Sequence, residues 1–380
     1  MLEEHKECLD KRGSISKIHS NEFYTAVIEE DLQRIEDLIQ KHGSNFLIET
    51  QGKVYKEAFC KGSAILPLHL AASYRKIHSM QSLLSAGADT ELRDMLGRTP
   101  LHLMITGWPS ILNTSQKPDS KFQTKVIGVC TQAEACLRLL CDHGVNINAK
   151  VEGKGHQTAL HISVRYRALS AVQILACYGA DVNAVDGSGM APLHMAAGIL
   201  HKDIIASLLR HGADVNMGVQ HTGNTPLHLA AVAMATTTTK TPEDAISSIT
   251  ELLEQGAEPN AVNKAGMTPL HEACSMGNEE LVDLLLSYGA SIYKLSEAGE
   301  NCLYLFLNHM PNRDYVMNLT RQPRRLQDIC KTDIYLTHVR GKREELRKIL
   351  PDKLYEFIFN HWENVHNISF VTDSEQEYVK

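Results

Sequence analysis

Six Leu-His dipeptides in one shared frame constrain this chain more than any other feature. They stand in LPLHLAA around His69, TPLHLM around His102, TALHIS around His161, APLHMAA around His194, TPLHLAA around His228 and TPLHEAC around His271, at successive spacings of 33, 59, 33, 34 and 43 residues. A closing glycine recurs beside them, at Gly87, Gly144, Gly179, Gly212, Gly256 and Gly289, with spacings of 57, 35, 33, 44 and 33. Both markers give a period near 33 interrupted by two insertions. A fixed period of this size means stacked units, none of which buries its apolar face alone. Length alone would divide 380 residues into two or three domains. The repeat replaces that division with one elongated array.

Residues 186–216 show what one unit does. Ala191-Pro192 opens a helix, with proline in the first turn where its missing N–H is harmless. The Ala-rich stretch to Gly198 lets a second helix pack close, and that helix, about Lys202 to Arg210, carries Ile204, Ile205, Leu208 and Leu209 on one face. Gly212 suits the left-handed position that ends it. The whole frame, G-x-TPLHxAA…LLxxGADVN, resembles the ankyrin repeat. Six units match, with cores beginning near residues 66, 99, 158, 191, 225 and 268. Residues 23–43 resemble a capping unit without the TPLH signature, and residues 296–310 a decayed seventh unit.

The resemblance implies an all-α ankyrin-repeat solenoid with β-turn fingers. Residues 1–19 form an N-terminal tail, 20–310 the repeats, 311–365 a short helical segment and 366–380 a C-terminal tail. The insertions, residues 106–128 and 232–244, fall between the two helices of their units. Their polar, low-complexity composition predicts projecting loops, and Thr241-Pro242 followed by Glu243 and Asp244 restarts a helix.

Nineteen histidines and nine cysteines invite a metal or acid–base reading. Six of the histidines belong to the motif, where the ankyrin resemblance implies hydrogen bonds between neighbouring units. No His-x3-His or His-Glu-x-x-His pair accompanies them, and no CxxC pair occurs. Cys136 and Cys141, in EACLRLLCDHG, read as small hydrophobes, with Cys130 nearby. Gly153-Lys154-Gly155 is a turn at a unit boundary, lacking the flanking strand of a phosphate cradle. No catalytic, cofactor or metal residue is expected.

Asn183 in LACYGADVNA, with Leu175 eight residues before it, resembles the asparaginyl-hydroxylation context of ankyrin repeats. The competing reading is a turn asparagine that satisfies its own backbone. Thirty-eight Lys and Arg against 45 Asp and Glu give a net charge of −7, which argues against nucleic-acid binding. No apolar run is long enough to span a membrane, and the charged start Met-Leu-Glu-Glu-His-Lys predicts no signal peptide. Scattered thiols suit a reducing compartment, so the expected location is the cytoplasm, which leaves the nucleus open.

Composition shifts after Pro311. From Arg321 to Lys353 ten Lys or Arg face five acids. In PRRLQDICKTDIYL, Leu326, Cys330 and Ile334 recur every fourth residue with Ile329 beside them, one stripe on a short helix. LRKILPDKLYEFIFNHW follows, broken at Pro351. This segment resembles a SOCS box, whose first helix carries L-x-x-x-C-x-x-x-(aliphatic) for elongin C. By that resemblance Leu326, Ile329, Cys330 and Ile334 are candidates for elongin binding, and Leu350 and Pro351 for cullin contact. Asp352 and Lys353 stand where the family carries an apolar residue and a second proline.

Repeats followed by such a box resemble the ankyrin-repeat-and-SOCS-box family of ubiquitin-ligase substrate receptors. The implied role is a non-enzymatic adaptor: the stack binds a protein client, and the box joins elongin B and C and a cullin. The alternative is a plain scaffold whose C-terminal helices only seal the last unit. Candidate client-facing tips are Arg93-Asp94-Met95, Glu152-Gly153-Lys154, Asp186-Gly187-Ser188, Gln220-His221-Thr222 and Asn263-Lys264-Ala265.

Overall fold

A computed structural model describes residues 20–49, 64–109, 120–153, 155–236, 242–292 and 294–299, together with 302 and 305. The described residues form helix pairs. A first pair, α1 (Ser20–Glu29) and α2 (Leu32–His42), precedes a two-residue antiparallel ladder of β1 (Ile48–Glu49) on β2 (Ala64–Ile65). The repeat pairs follow: α3 (Pro67–Tyr74) and α4 (Ile77–Ser85), α5 (Pro100–Thr106) and α6 (Ser120–Asp142), α7 (Ala159–Arg165) and α8 (Leu169–Cys177). Then come α9 (Pro192–Gly198) and α10 (Lys202–Arg210), α11 (Pro226–Thr236) and α12 (Pro242–Glu254), α13 (Pro269–Ser275) and α14 (Glu279–Ser287).

Each first helix packs on the first helix of the next pair, and each second helix likewise, so two layers run the length of the stack. The short first helices open on proline at N1 in α3, α5, α9 and α13, where no backbone donor is lost. Their alanines, such as Ala71, Ala196 and Ala230, are fully buried and let the layers approach. In the second helices the apolar stripe does the packing. Ile204, Ile205 and Leu208 are completely buried, each contributing roughly 1.5–3 kcal/mol. Asp31 and Asn278 cap α2 and α14 by accepting from Arg34 and Leu281 backbone N–H groups.

The motif histidine links one unit to the next. In α5 the Nδ1 of His102 accepts the Thr99 backbone N–H at 3.1 Å, with Thr99 Oγ1 at 2.8 Å. Nδ1 being an acceptor, the ring proton sits on Nε2, which donates to the Ala149 carbonyl at 3.0 Å. The same clamp recurs from His161 to Met190, His194 to Met217 and His228 to Met267. His69 reaches the Arg98 carbonyl. The expected hydrogen bonds between units are therefore present at these five positions.

The insertions are only partly loops. Helix α6 is 23 residues long and takes in residues 120–128, and α11 and α12 reach 11 and 13 residues where α9 and α10 have 7 and 9. Once stacked neighbours have nucleated a helix, each further residue adds a backbone hydrogen bond without repeating the nucleation cost. Polar composition does not prevent that extension. Ile127 and Val129 on the extended part of α6 remain exposed.

Candidate protein-interaction surface

Between successive units the chain turns through a finger. In the first, Asp94 N–H donates to the Arg98 carbonyl and Gly97 N–H to the Asp94 carbonyl. Equivalent pairs close the fingers at Asp186 and Met190, and at Asn263 and Met267. Neighbouring fingers are joined edge to edge: Glu152 N–H donates to Gly97, Gly187 to Gly155, Lys264 to Thr222 and Glu297 to Ala265. The close approach requires glycine at two positions. A Cβ on Gly97 would lie 2.3 Å from the Glu152 Cβ, and one on Gly266 2.6 Å from the Glu297 nitrogen, both at positive φ.

Within the tips the polar side chains are turned inward. Asp94 accepts from the Leu96 and Arg98 backbone and pairs with the Arg98 guanidinium at 2.7 Å. Arg93 donates to the carbonyls of Gly97 and Lys150 and pairs with Glu152 at 3.1 Å. Asp186 accepts from Ser188 and Met190. Burial alone would raise its pKa, yet these hydrogen bonds hold it below the usual carboxylate value. Asn263 accepts from Ala265 and Met267. Of the tip residues expected to meet a client, Arg93, Asp94, Asp186 and Asn263 thus brace the fingers.

The fingers also present apolar side chains outward. Met95 and Leu96 are 56% and 57% exposed, Val262 53% and Leu295 59%. Gln220, His221 and Ser188 are also exposed. Sequence reading included Met95 among the tips but missed Leu96, Val262 and Leu295. Their signal is an apolar residue beside a turn glycine, asparagine or serine: Gly97, Asn263 and Ser296.

Asn183 does not serve its own backbone. Its Oδ1 accepts the Asp214 N–H at 2.8 Å and its Nδ2 donates to the Gly212 carbonyl at 3.2 Å, both in the following unit. Asn216 binds Glu258 and Gly256, and Asn260 binds Ser291 and Gly289, in the same way. Leu326, Ile329, Cys330, Ile334, Leu350 and Pro351 lie outside the described residues.

Cys136 and Cys141 are buried in the core as small apolar groups, and burial pushes both thiols up to about 11. Among the described residues no group of three or more His, Cys, Asp or Glu is placed to hold a metal ion. No described helix is long and apolar enough to cross a membrane.

Comparison with known families agrees with this geometry. The family described as ankyrin repeats (many copies) matches residues 164–209, 243–286 and 270–309. The three-copy ankyrin family matches 109–186, and the single ankyrin repeat 66–95. Together these cover more than half of the chain. Human ankyrin repeat and SOCS box protein 16 is 28% identical over 211 residues, 47% of this chain and 46% of that protein. Chicken nuclear factor NF-kappa-B p105 subunit is 34% identical over 161 residues, 39% of this chain and 16% of that protein. Zebrafish neurogenic locus notch homolog protein 1 is 31% identical over 43% of this chain and 6% of its own length. The chain therefore spans less than half the length of each of these relatives. The solved ankyrin repeat domain of Bcl-3 superposes with a TM-score of 0.53 at 22% identity, covering 68% of this chain and 99% of that domain.

Proposed function

The chain belongs to the ankyrin-repeat family, and from that premise we propose that it is a non-enzymatic cytoplasmic adaptor whose repeats hold a protein client while its C-terminal box recruits elongin B and C. Its mechanism is proximity: a client on the fingers is held near a cullin-type ubiquitin ligase, and the chain itself needs no cofactor and performs no chemistry. The observation that carries the client half is the tip arrangement. Charged tip residues are consumed in bracing, and Met95, Leu96, Val262 and Leu295 are left facing solvent. Apolar side chains on a rigid, internally hydrogen-bonded frame are the pattern that interface anchors take.

The ligase half rests on the spacing of Leu326, Cys330 and Ile334. A partial likeness to an ankyrin repeat and SOCS box protein supports it. Leu350 and Pro351 are the proposed cullin contact, and Asn183 the proposed hydroxylation acceptor.

Affinity capture of the full chain from cells tests both halves. The wild type is expected to retain elongin B and C, and a Leu326→Asp, Cys330→Asp double variant to lose them with the repeats still folded. A Met95→Glu, Leu96→Glu double variant should keep elongin and lose client proteins. If the wild type never captures elongin, or the tail variant unfolds the whole stack, the C-terminal helices serve only to seal the last unit.

A further inference from the structure

Cys177, the last residue of α8, is an exposed free thiol, whereas the other described cysteines are buried or, for Cys130, half-buried. Its Sγ lies 3.7 Å from Nε2 of His211, the residue that follows α10 in the next unit. That separation is within hydrogen-bonding reach of the large sulfur atom. The other ring nitrogen fixes the tautomer. His211 Nδ1 stands 2.8 Å from the Ser207 carbonyl, and a carbonyl can only accept. The proton of the neutral ring therefore sits on Nδ1, and the Nε2 lone pair faces the Cys177 thiol. A nucleophile, a base within reach and a third group that orients the base are the parts of an activated thiol.

The repeat frame builds this pair. A residue two places before the closing glycine of one unit meets the residue one place before the closing glycine of the next. Tyr178 reaches back in this way to Asp142 at 2.7 Å, and His211 to Cys177. Asp142 and Tyr178 thus engage each other. Elsewhere in the stack Ser85 and Ser287 occupy the register of the cysteine, and Gln255 that of the histidine. Cys177→Ser and His211→Gln accordingly insert residues that the frame already carries.

We propose that Cys177 is a modification site for small-molecule disulfides of the glutathione type, with His211 as its base, so that the stack carries a reversible mixed disulfide at the seam between two units. Nε2 takes the Cys177 proton, and the thiolate attacks one sulfur of the disulfide. A new S–S bond forms to Cys177, the old S–S bond breaks, and the departing thiolate recovers the proton from His211 and leaves as a thiol. The small disulfide is the oxidant: the Cys177 sulfur is oxidised by one step as the departing sulfur is reduced by one. Excess thiol reverses the exchange through the same steps.

Access and environment both single out Cys177. It faces solvent without any opening of the fold. Cys136 and Cys141 are enclosed in the core, and burial pushes their thiols up to about 11. Cys130 is raised by burial and by the Glu134 charge. The adduct lies in the seam that Asn183 also bridges through Gly212 and Asp214.

The test incubates the folded, reduced full chain with oxidised glutathione, quenches with an alkylating agent and maps the peptides by mass. Among the described thiols, Cys177 is expected to gain one glutathione faster than Cys130, and dithiothreitol should remove it. His211→Gln should slow the exchange at Cys177 about tenfold at neutral pH. The wild-type and variant rates should converge well above the ordinary thiol pKa of about 8.5, where the thiol ionises without a base. An equal loss at both pH values would mean that His211 only shapes access, and the proposed base would be wrong. Cys177 left unmodified, or modified no faster than Cys130, overturns the site itself. The wild-type peptide map decides that question even where the glutamine variant fails to fold.

Discussion

The Nε2 of His102 donates to the carbonyl of Ala149 across 3.0 Å, joining residues 47 positions apart in the chain. The contact is buried at both ends, and the other ring nitrogen, Nδ1, accepts from Thr99 at the start of the same helix. Replacing the ring leaves the Ala149 carbonyl and the Thr99 N–H without partners inside the protein. His102→Ala is therefore expected to cost about 2–4 kcal/mol, combining lost packing with unsatisfied groups. Urea unfolding followed by circular dichroism measures it. A loss within 0.5 kcal/mol, the range of ordinary surface substitutions, would mean the clamp is dispensable.

The clamps also make the fold sensitive to acid. Burial lowers the His102 pKa from 6.5 to about 4, and burial likewise lowers His69, His161, His194 and His228. A folded-state pKa below the unfolded value means that the unfolded chain takes up protons first as the pH falls. The stabilisation from neutral clamps is complete above pH 6.5 and is lost progressively toward pH 4, at about 1.4 kcal/mol for each unit by which one histidine is displaced. Thermal midpoints measured from pH 7.5 down to 4 should fall steeply below 6.5. A flat profile across that window would show that the rings are not held neutral.

Asn183 bridges two units as the histidines do, on the finger side of the stack. Asn183→Ala removes the bonds to Asp214 and Gly212, and Asn183→Asp keeps the acceptor for Asp214 while losing the donor to Gly212. The alanine variant is expected to lose about 1–2 kcal/mol and the aspartate variant less. Hydrogen exchange at the Asp214 amide provides the local readout: it should speed up in the alanine variant and stay slow in the aspartate variant. Equal protection in both would place the stabilising interaction elsewhere.

The motif histidines are legible because the period and the closing glycine repeat with all six and the helix-opening proline with five, so the copies of one frame reinforce one another. The role of Asn183 is not, because its partners Gly212 and Asp214 lie 29 and 31 residues away and a local turn explains the same composition. Residues 120–128 read as loop because the insertion is polar and low in complexity, and a helix nucleated in the stacked part of α6 propagates through such residues. At the fingers, composition alone cannot separate Asp94, which braces, from Leu96, which is presented. The box residues Leu326, Cys330 and Ile334 stay at the level of spacing.

Arg75 offers a test of what a buried cation costs this stack. It occupies the left-handed turn between α3 and α4, at φ 54°, and among the described residues its buried Nε and Nη2 meet no hydrogen-bond partner. Burial lowers its pKa, and the ionisable groups that act on it are the thiols of Cys136 and Cys130. Guanidinium N–H groups buried without acceptors lose hydration that nothing replaces. Arg75→Met keeps most of the stem and its packing, and the hydrogen bond from Gln132 Nε2 to the Arg75 carbonyl is untouched. The variant is expected to be more stable by about 1 kcal/mol. Gly107 should reveal the cause. A Cβ there would stand 2.9 Å from Nη2, so Gly107→Ala crowds the guanidinium in the wild type and meets more room beside methionine. The double-mutant cycle should give a favourable coupling of about 0.5–1 kcal/mol. Additive effects, or a destabilised Arg75→Met, would show that the guanidinium stabilises the turn despite its buried N–H groups.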